Sequence, residues 1–333
     1  MKRKYIISFI VLLFVFVFTT ACADSDKHSA KEEQNGGEKE GKNIQLPEGE
    51  LQKLDSGQDV KALQQGLKKI GYQIDSSGKF DAATVWAITD LQLQHDLSVT
   101  GVYSQETAKM IEQLLAKDTS SYQPGKALPA KAEPVTTNDG SNVLANPHEQ
   151  LALVNKENAL PEDYIPVDLV TPNVPFPFKE DLPKKKMRDI AAPALEELFA
   201  AAEKEGLELY AQSGYRSYDR QVNVFNSNVQ SLGEKEANLV SARPGESEHQ
   251  TGLTMDVTSP DINFDLTTEF ANTDEGKWLA EHAADYGFII RFPKGKEDIT
   301  KYQYEPWHIR YVGKKAAKEI MENNLTLEEY LTK

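Results

Sequence analysis

The sequence predicts a small three-helix all-α domain followed by a larger α+β domain. In "VKALQQGLKKIGY", Val60, Leu63, Leu67 and Ile70 recur at the spacing of one helix face. The stretches "GKFDAATVWAI" and "GVYSQETAKMI" then repeat one unit: Gly78, Phe80, Asp81 and Thr84 in the first correspond to Gly101, Tyr103, Ser104 and Thr107 in the second. Beyond residue 150, helical and strand patterns mix without a regular βαβ rhythm, which marks α+β rather than α/β. A length of 333 residues suits two domains with connecting segments.

The chain opens on a segment of another kind. Lys2, Arg3 and Lys4 precede Ile6 to Phe18, a run that is apolar except for Ser8, and "TTAC" comes next, Thr19 to Cys22. A basic start, a short apolar stretch and small residues after it make a secretory signal. The stretch is too short for a membrane span, which takes ~20 apolar residues. Cys22 is the single cysteine, so no internal disulfide can form. Its place directly after Ala21 resembles a bacterial lipobox. That resemblance implies that residues 1–22 are a lipoprotein signal and that Cys22 is lipidated, and two acyl chains would hold the protein to the outer face of the membrane. Thr19 stands where leucine is usual, which leaves a plain cleaved signal as the alternative. Residues 23–48 are charged and glycine-containing, with too little apolar surface to fold, and are expected to be a disordered tether.

The small domain is expected over 49–116. Gly71 is placed to close the first helix, and Asp81 and Ser104 are placed to cap the next two. Leu63, Phe80, Val85, Ile88 and Tyr103 are its expected core. "SGQDVKALQQGLKKIGY", "GKFDAATVWAITDLQ" and "GVYSQETAKMI" together resemble the peptidoglycan-binding type 1 domain. The residues themselves argue only for a helical bundle; binding to the wall is what the resemblance implies. Residues 117–150, rich in Pro, Ser, Gly, Asn and Asp, are expected to be a second linker.

The larger domain is expected over 151–333. "DIAAPALEELFAAAEKEG" is an amphipathic helix with Leu195, Leu198 and Phe199 inward. "LELYAQSGYRS" is a strand running into a loop, "DRQVNVFNSNVQSLG" a helix, and "TDEGKWLAEHAADYG" a helix capped by Thr273 or Asp274. "GFIIRF" and "HIRYVG" are strands, and Thr326 with Glu329 forms a capping box at the end. All six arginines outside the leader fall here, which suggests that anionic groups are recognised by this domain. A net charge of −15 argues against a nucleic-acid partner.

A metal site in this domain must use His, Asp or Glu, since it has no cysteine. His249, His282 and His308 are its histidines. His282 lies among apolar neighbours on a helix and reads as structural or surface. "HEQLA", from His148, lacks the second histidine of HExxH, Ala152 standing in its place, and carries no metal reading. His249 and Asp256 could share a metal only if the chain bends between them, since residues seven apart on a straight strand face opposite ways. Gly252 supplies the freedom to bend. In "EPWH", Pro306 keeps Glu305 out of helical geometry, near His308. Glu305 fits a carboxylate that moves the proton of an attacking water. Arg216, in "SGYRSYDRQ", could pair with a substrate carboxylate or an oxyanion, or form a plain surface ion pair. Gln221 could hydrogen-bond a peptide.

"SGYRSYDRQ", "SEHQTGLTMD" and "EPWHIRYVG" together resemble the VanY-type D-alanyl-D-alanine carboxypeptidases of the LAS group of zinc peptidases. The resemblance implies one zinc ion on His249, Asp256 and His308, with Glu305 as catalytic base and Arg216, Gln221 and Ser247 at substrate-contacting positions. Thr254 stands where alanine is commoner. By this resemblance the chain is expected to be a zinc D,D-carboxypeptidase, trimming the terminal D-alanine of peptidoglycan stem peptides outside the cell. The alternatives are an L,D-carboxypeptidase, a D,D-dipeptidase or an endopeptidase of the same group, or a non-catalytic wall-binding lipoprotein. The expected partners are the wall and, through Cys22, the membrane, with the chain a monomer.

Overall fold

The computed structural model describes residues 44–117, 122–130 and 134–333. The signal, Cys22 and most of the tether lie outside the described residues. Among those described, no helix is long and apolar enough to cross a membrane.

Helix α1 (Gln58–Lys69), α2 (Ala82–Gln94) and α3 (Gln105–Ala116) form the small domain. The apolar face of α1 is buried: Val60, Leu63, Leu67 and Ile70 pack with Phe80, Val85, Ile88 and Tyr103. Gly71, at φ 111°, ends the first helix in a conformation that glycine tolerates. Asp81 accepts the Thr84 amide at 3.0 Å, and Ser104 accepts that of Thr107 at 3.4 Å. The repeated glycine turns are held by buried amides from the helices: Gln64 Oε1 accepts from Gly78 N, and Gln92 Oε1 accepts from Thr100 N and Gly101 N.

The larger domain is built on a four-stranded antiparallel sheet. Its strands are β1 (Tyr210–Ser213), β2 (Thr254–Thr258), β3 (Phe288–Phe292) and β4 (Glu305–Tyr311), in spatial order β1-β2-β4-β3. Helix α4 (Ala192–Lys204) buries Leu195, Leu198 and Phe199 with Met255, Val257 and Ile309. Strand β2 is buried along its whole length although its sequence alternates: Met255 and Val257 enter the core, and Asp256 between them points to the other face. Between β1 and β2 lie α5 (Tyr218–Leu232) and a short α6 (Glu234–Val240). Helix α7 (Asp274–His282) is capped by Thr273, whose Oγ1 accepts from Gly276 N at 3.0 Å. Helices α8 (Lys314–Glu322) and α9 (Leu327–Leu331) close the chain, α9 with the full Thr326–Glu329 capping box.

The stretch expected as a linker is held to both domains in its described parts. Asp90 on α2 accepts from Gly125 N, Ala127 N and Leu128 N at 2.7–3.0 Å. A two-residue ribbon, Val135–Thr136 against Asn142–Val143, continues in parallel onto Asn158–Ala159. Gln150 N donates to Thr100 O at 2.8 Å. Residues 44–333 therefore form one unit, and Arg188 sits at its seam. Arg188 is 1% exposed; its Nε lies 2.9 and 3.0 Å from the two oxygens of Asp168, and its other two nitrogens donate to the carbonyls of His148 and, in the small domain, Val99. Removing it strands a half-buried carboxylate and two carbonyls. Arg188→Ala is expected to lower stability by ~3–5 kcal/mol, read as a fall in the midpoint of chemical unfolding; an unchanged midpoint would show that the seam contributes nothing.

Candidate metal centre

Strands β2 and β4 are direct neighbours, and their register sets Asp256 opposite His308. The two side chains meet, with His308 Nδ1 3.1 Å from Asp256 Oδ1. His249 arrives from a single 3-10 turn, Glu248–Thr251, which stops at Gly252 in the left-handed conformation (φ 69°, ψ 9°). There the chain bends, and His249 Nε2 comes to 3.4 Å from Asp256 Oδ2. The place belongs to glycine on two counts. The φ is positive, and a Cβ would lie 2.9 Å from Arg188 Cγ and 3.0 Å from Leu169 Cδ2.

His249 Nδ1 lies 2.7 Å from the Gly214 carbonyl. That bond requires the proton on Nδ1 and leaves the Nε2 lone pair facing Asp256. The ligand atoms of His249, Asp256 and His308 all lie within 4.8 Å of one another, and the three residues are buried. Asp256 Oδ1 is buried without a hydrogen-bond partner among the described residues. Two imidazole nitrogens and one carboxylate oxygen form a donor set of the kind that takes a zinc ion and leaves a fourth position for water. The residues fit the metal.

Burial and the neighbouring Arg216 push His249 down to about 3, so it is neutral, the form that ligates. For Asp256, burial would raise the carboxyl, but His249, His308 and Arg216 outweigh it and hold the group below its usual range. Burial pushes Glu305 up to about 7, and its Oε2 is 3.6 Å from His308 Nδ1. All these groups line one cavity of about 220 Å³, together with Arg216, Ser247, Phe292, Tyr302 and Trp307.

Arg216 follows β1 and donates from Nη1 to Gln221 Oε1 at 2.8 Å. Gln221, 1% exposed, donates its own amide to Ala242 O at 2.6 Å. Both ends of Gln221 are thus engaged within the protein. His282 packs at a tilt against Trp278, ring centroids 4.7 Å apart, and His148 meets Tyr164 edge-on at 5.0 Å; neither joins the triad. Trp307 both lines the cavity and packs against the core.

Glu248 was invisible to motif reasoning. It is buried, with Oε1 accepting from Arg291 Nε at 2.7 Å and Arg310 Nη1 at 2.8 Å, and with Oε2 3.7 Å from His308 Nε2. Arg291 also forks onto Glu328 at 2.7 and 2.9 Å. Of the arginines thought to read anionic groups, Arg188, Arg291 and Arg310 serve internal carboxylates, and Arg216 opens onto the cavity. The only sequence signal for Glu248 was an acidic residue beside a candidate ligand in a domain rich in arginine.

Sheet, buried triad and adjacent carboxyl define a metallopeptidase-like site on an α+β scaffold. Comparison with known proteins agrees. A family model described as "D-alanyl-D-alanine carboxypeptidase" (VanY) matches residues 184–314, and one described as "Putative peptidoglycan binding domain" matches residues 56–111. The "Putative carboxypeptidase YodJ" of Bacillus subtilis is 57% identical over 195 residues, 59% of this chain and 71% of that protein. A "D-alanyl-D-alanine carboxypeptidase" of Enterococcus faecalis is 35% identical over 59% of this chain and 74% of its own length. The solved structure of the LdcB LD-carboxypeptidase is 56% identical, with a TM-score of 0.58, over 60% of this chain and 93% of its own. The chain belongs to the VanY carboxypeptidase family and carries a three-helix peptidoglycan-binding domain ahead of the peptidase domain.

For Glu248, burial would raise the carboxyl, but Arg291 and Arg310 outweigh it and hold the group well below the usual carboxylate range. A depressed pKa contributes stability that is present above the unfolded value, ~4.3, and lost as pH falls below it. Unfolding measured from pH 7 to pH 3 is therefore expected to show stability falling below about pH 4, with a shallower fall in Glu248→Gln. Parallel profiles for the two proteins would refute this.

Proposed function

We propose that this protein is a zinc-dependent carboxypeptidase that releases the C-terminal D-alanine of peptidoglycan stem peptides outside the cell. The observation that carries the proposal is the convergence of His249, Asp256 and His308 within 4.8 Å, with Glu305 and Arg216 in the same cavity, in a chain of the VanY family. His249 Nε2, one Asp256 carboxylate oxygen and His308 Nδ1 would hold the zinc. The bound ion supplies a Lewis acid that polarises the scissile carbonyl and acidifies water. Glu305 Oε2 takes the proton of the attacking water and delivers it to the nitrogen of the leaving D-alanine; a carboxyl raised to about 7 suits both halves of that transfer. Arg216 pairs with the free carboxylate of the substrate or with the oxyanion. Gln221 acts through Arg216, holding the guanidinium by its 2.8 Å bond, and Ser247 offers a polar contact from the cavity wall.

Two bonds fit release of a single alanine. The D-Ala-D-Ala bond, read from the sequence motifs, is supported by the Enterococcus relative. An L,D bond is a second reading, supported by the higher identity to the LdcB LD-carboxypeptidase. Mass spectrometry of muropeptides before and after incubation separates them. Loss of one alanine from pentapeptides gives the first, loss of one from tetrapeptides the second, and loss of an alanine pair a dipeptidase. Glu305→Ala is expected to cut the rate by about 10²–10⁴-fold with zinc still bound, whereas His308→Ala should lose the zinc, measured by metal analysis. A Glu305→Ala protein at full rate would remove Glu305 from the chemistry.

We also propose that Cys22 is lipidated and anchors a monomeric protein to the outer face of the bacterial membrane, against the wall. The small domain would then raise the local concentration of wall substrate. Cys22→Ala is expected to move the protein from the membrane fraction to the medium; membrane retention of that variant would defeat the lipoprotein reading.

A further inference from the structure

Glu246 stands just ahead of the metal-bearing turn and lines the same cavity. It is 4% exposed. One oxygen, Oε1, accepts the Ser141 hydroxyl at 2.6 Å. The other, Oε2, is buried and has no hydrogen-bond partner among the described residues. A buried carboxylate oxygen left unpartnered costs more than almost any neutral polar group in that position. Neither nearby cation donates a hydrogen bond to Oε2, although the charge of Arg243 acts on the group. Arg243 is engaged with Glu234 at 2.8 Å and Asp139 at 3.2 Å. Lys156 donates to Asn238 O and lies over the Tyr302 ring, 4.5 Å from its centroid. None of the roles derived for the reaction uses Glu246.

We infer that Glu246 is a specificity residue, whose carboxylate receives a primary ammonium group carried by the substrate peptide on the N-terminal side of the scissile bond. The inference rests on the carboxypeptidase reading. In that reaction the leaving D-alanine brings only a carboxylate and a methyl group, so an ammonium partner must belong to the acyl side. A charge-assisted N–H···O bond is the strongest contact a buried carboxylate can receive. A ligand bearing a carboxylate at that place would meet repulsion, so the same oxygen selects as well as binds. Ser141 lies in the stretch that leads into the peptidase domain. Its hydroxyl fixes Oε1 and so sets the direction of Oε2.

The test uses the zinc-loaded full chain and four peptides, ending in lysyl-D-alanine or lysyl-D-alanyl-D-alanine, each with the lysine side-chain amine free or acetylated. For whichever ending is cleaved, acetylation is expected to raise KM for the wild type by about tenfold or more, the worth of a charge-assisted bond, with a far smaller change in kcat. In Glu246→Gln the free and acetylated peptides should converge, and Ser141→Ala should narrow the ratio in the same direction by less. Indifference of the wild type to acetylation would overturn the inference. So would a ratio that survives Glu246→Gln in soluble, zinc-containing protein. Should that variant fail to fold, an unchanged ratio in Ser141→Ala overturns it instead. Failure of the wild type to cleave any of the four peptides strikes the carboxypeptidase reading itself, a result distinct from cleavage without amine preference.

Discussion

The carboxylate of Glu248 is the constraint on which the peptidase domain depends. It is taken fully out of water and matched by two guanidiniums, Arg291 from β3 and Arg310 from β4. Buried charges persist only when paired and hydrogen-bonded in this way. The pairing ties together the turn that carries His249, the two strands that flank the site, and through Glu328 the final helix. It also lays a negative oxygen beside His308 Nε2. That arrangement favours a proton on Nε2 and frees Nδ1 for Asp256 and the metal, the usual division of labour in a histidine backed by a carboxylate. A device that stabilises the fold is therefore the same device that orients a ligand.

The second constraint is register. Asp256 faces His308 because β2 and β4 pair with Thr254 opposite Arg310. A slip of one residue would send Asp256 to the other face of the sheet. The apolar pairing of Met255 with Ile309 in the core fixes the register, so the geometry of the triad is inherited from hydrophobic packing.

Much of this was legible in the sequence. The caps at Asp81, Ser104, Thr273 and Thr326 were readable because a cap is a local event, side chain to backbone three residues on. The bend at Gly252 was readable because His249 and Asp256 make no shared sense on a straight strand. Other parts were not. Helix α6 has seven residues, too few for a period to show. Strand β4 begins at Glu305, three residues before the expected start at His308. The pairing register shifts between Ile290 and Phe292 beside it, an irregularity of the kind that relieves a proline of its missing donor. Glu248 finds its arginines 43 and 62 residues away, and nothing local marks a partner at that distance. The stretch 117–150 looked like a spacer from its composition. Composition does not report that Asp90 collects three of its amides.

Arg188 gives the molecule a mechanical property. Its side chain grips the Val99 carbonyl of the small domain, while its backbone N–H holds the Gly252 carbonyl at 2.8 Å. One residue thus lies in series between the small helical domain and the bend that aims His249. Other contacts cross the same seam, Gln52 to Tyr330 and Lys315 to Asp55, but they reach the last two helices, whereas Arg188 reaches the turn that carries His249 directly.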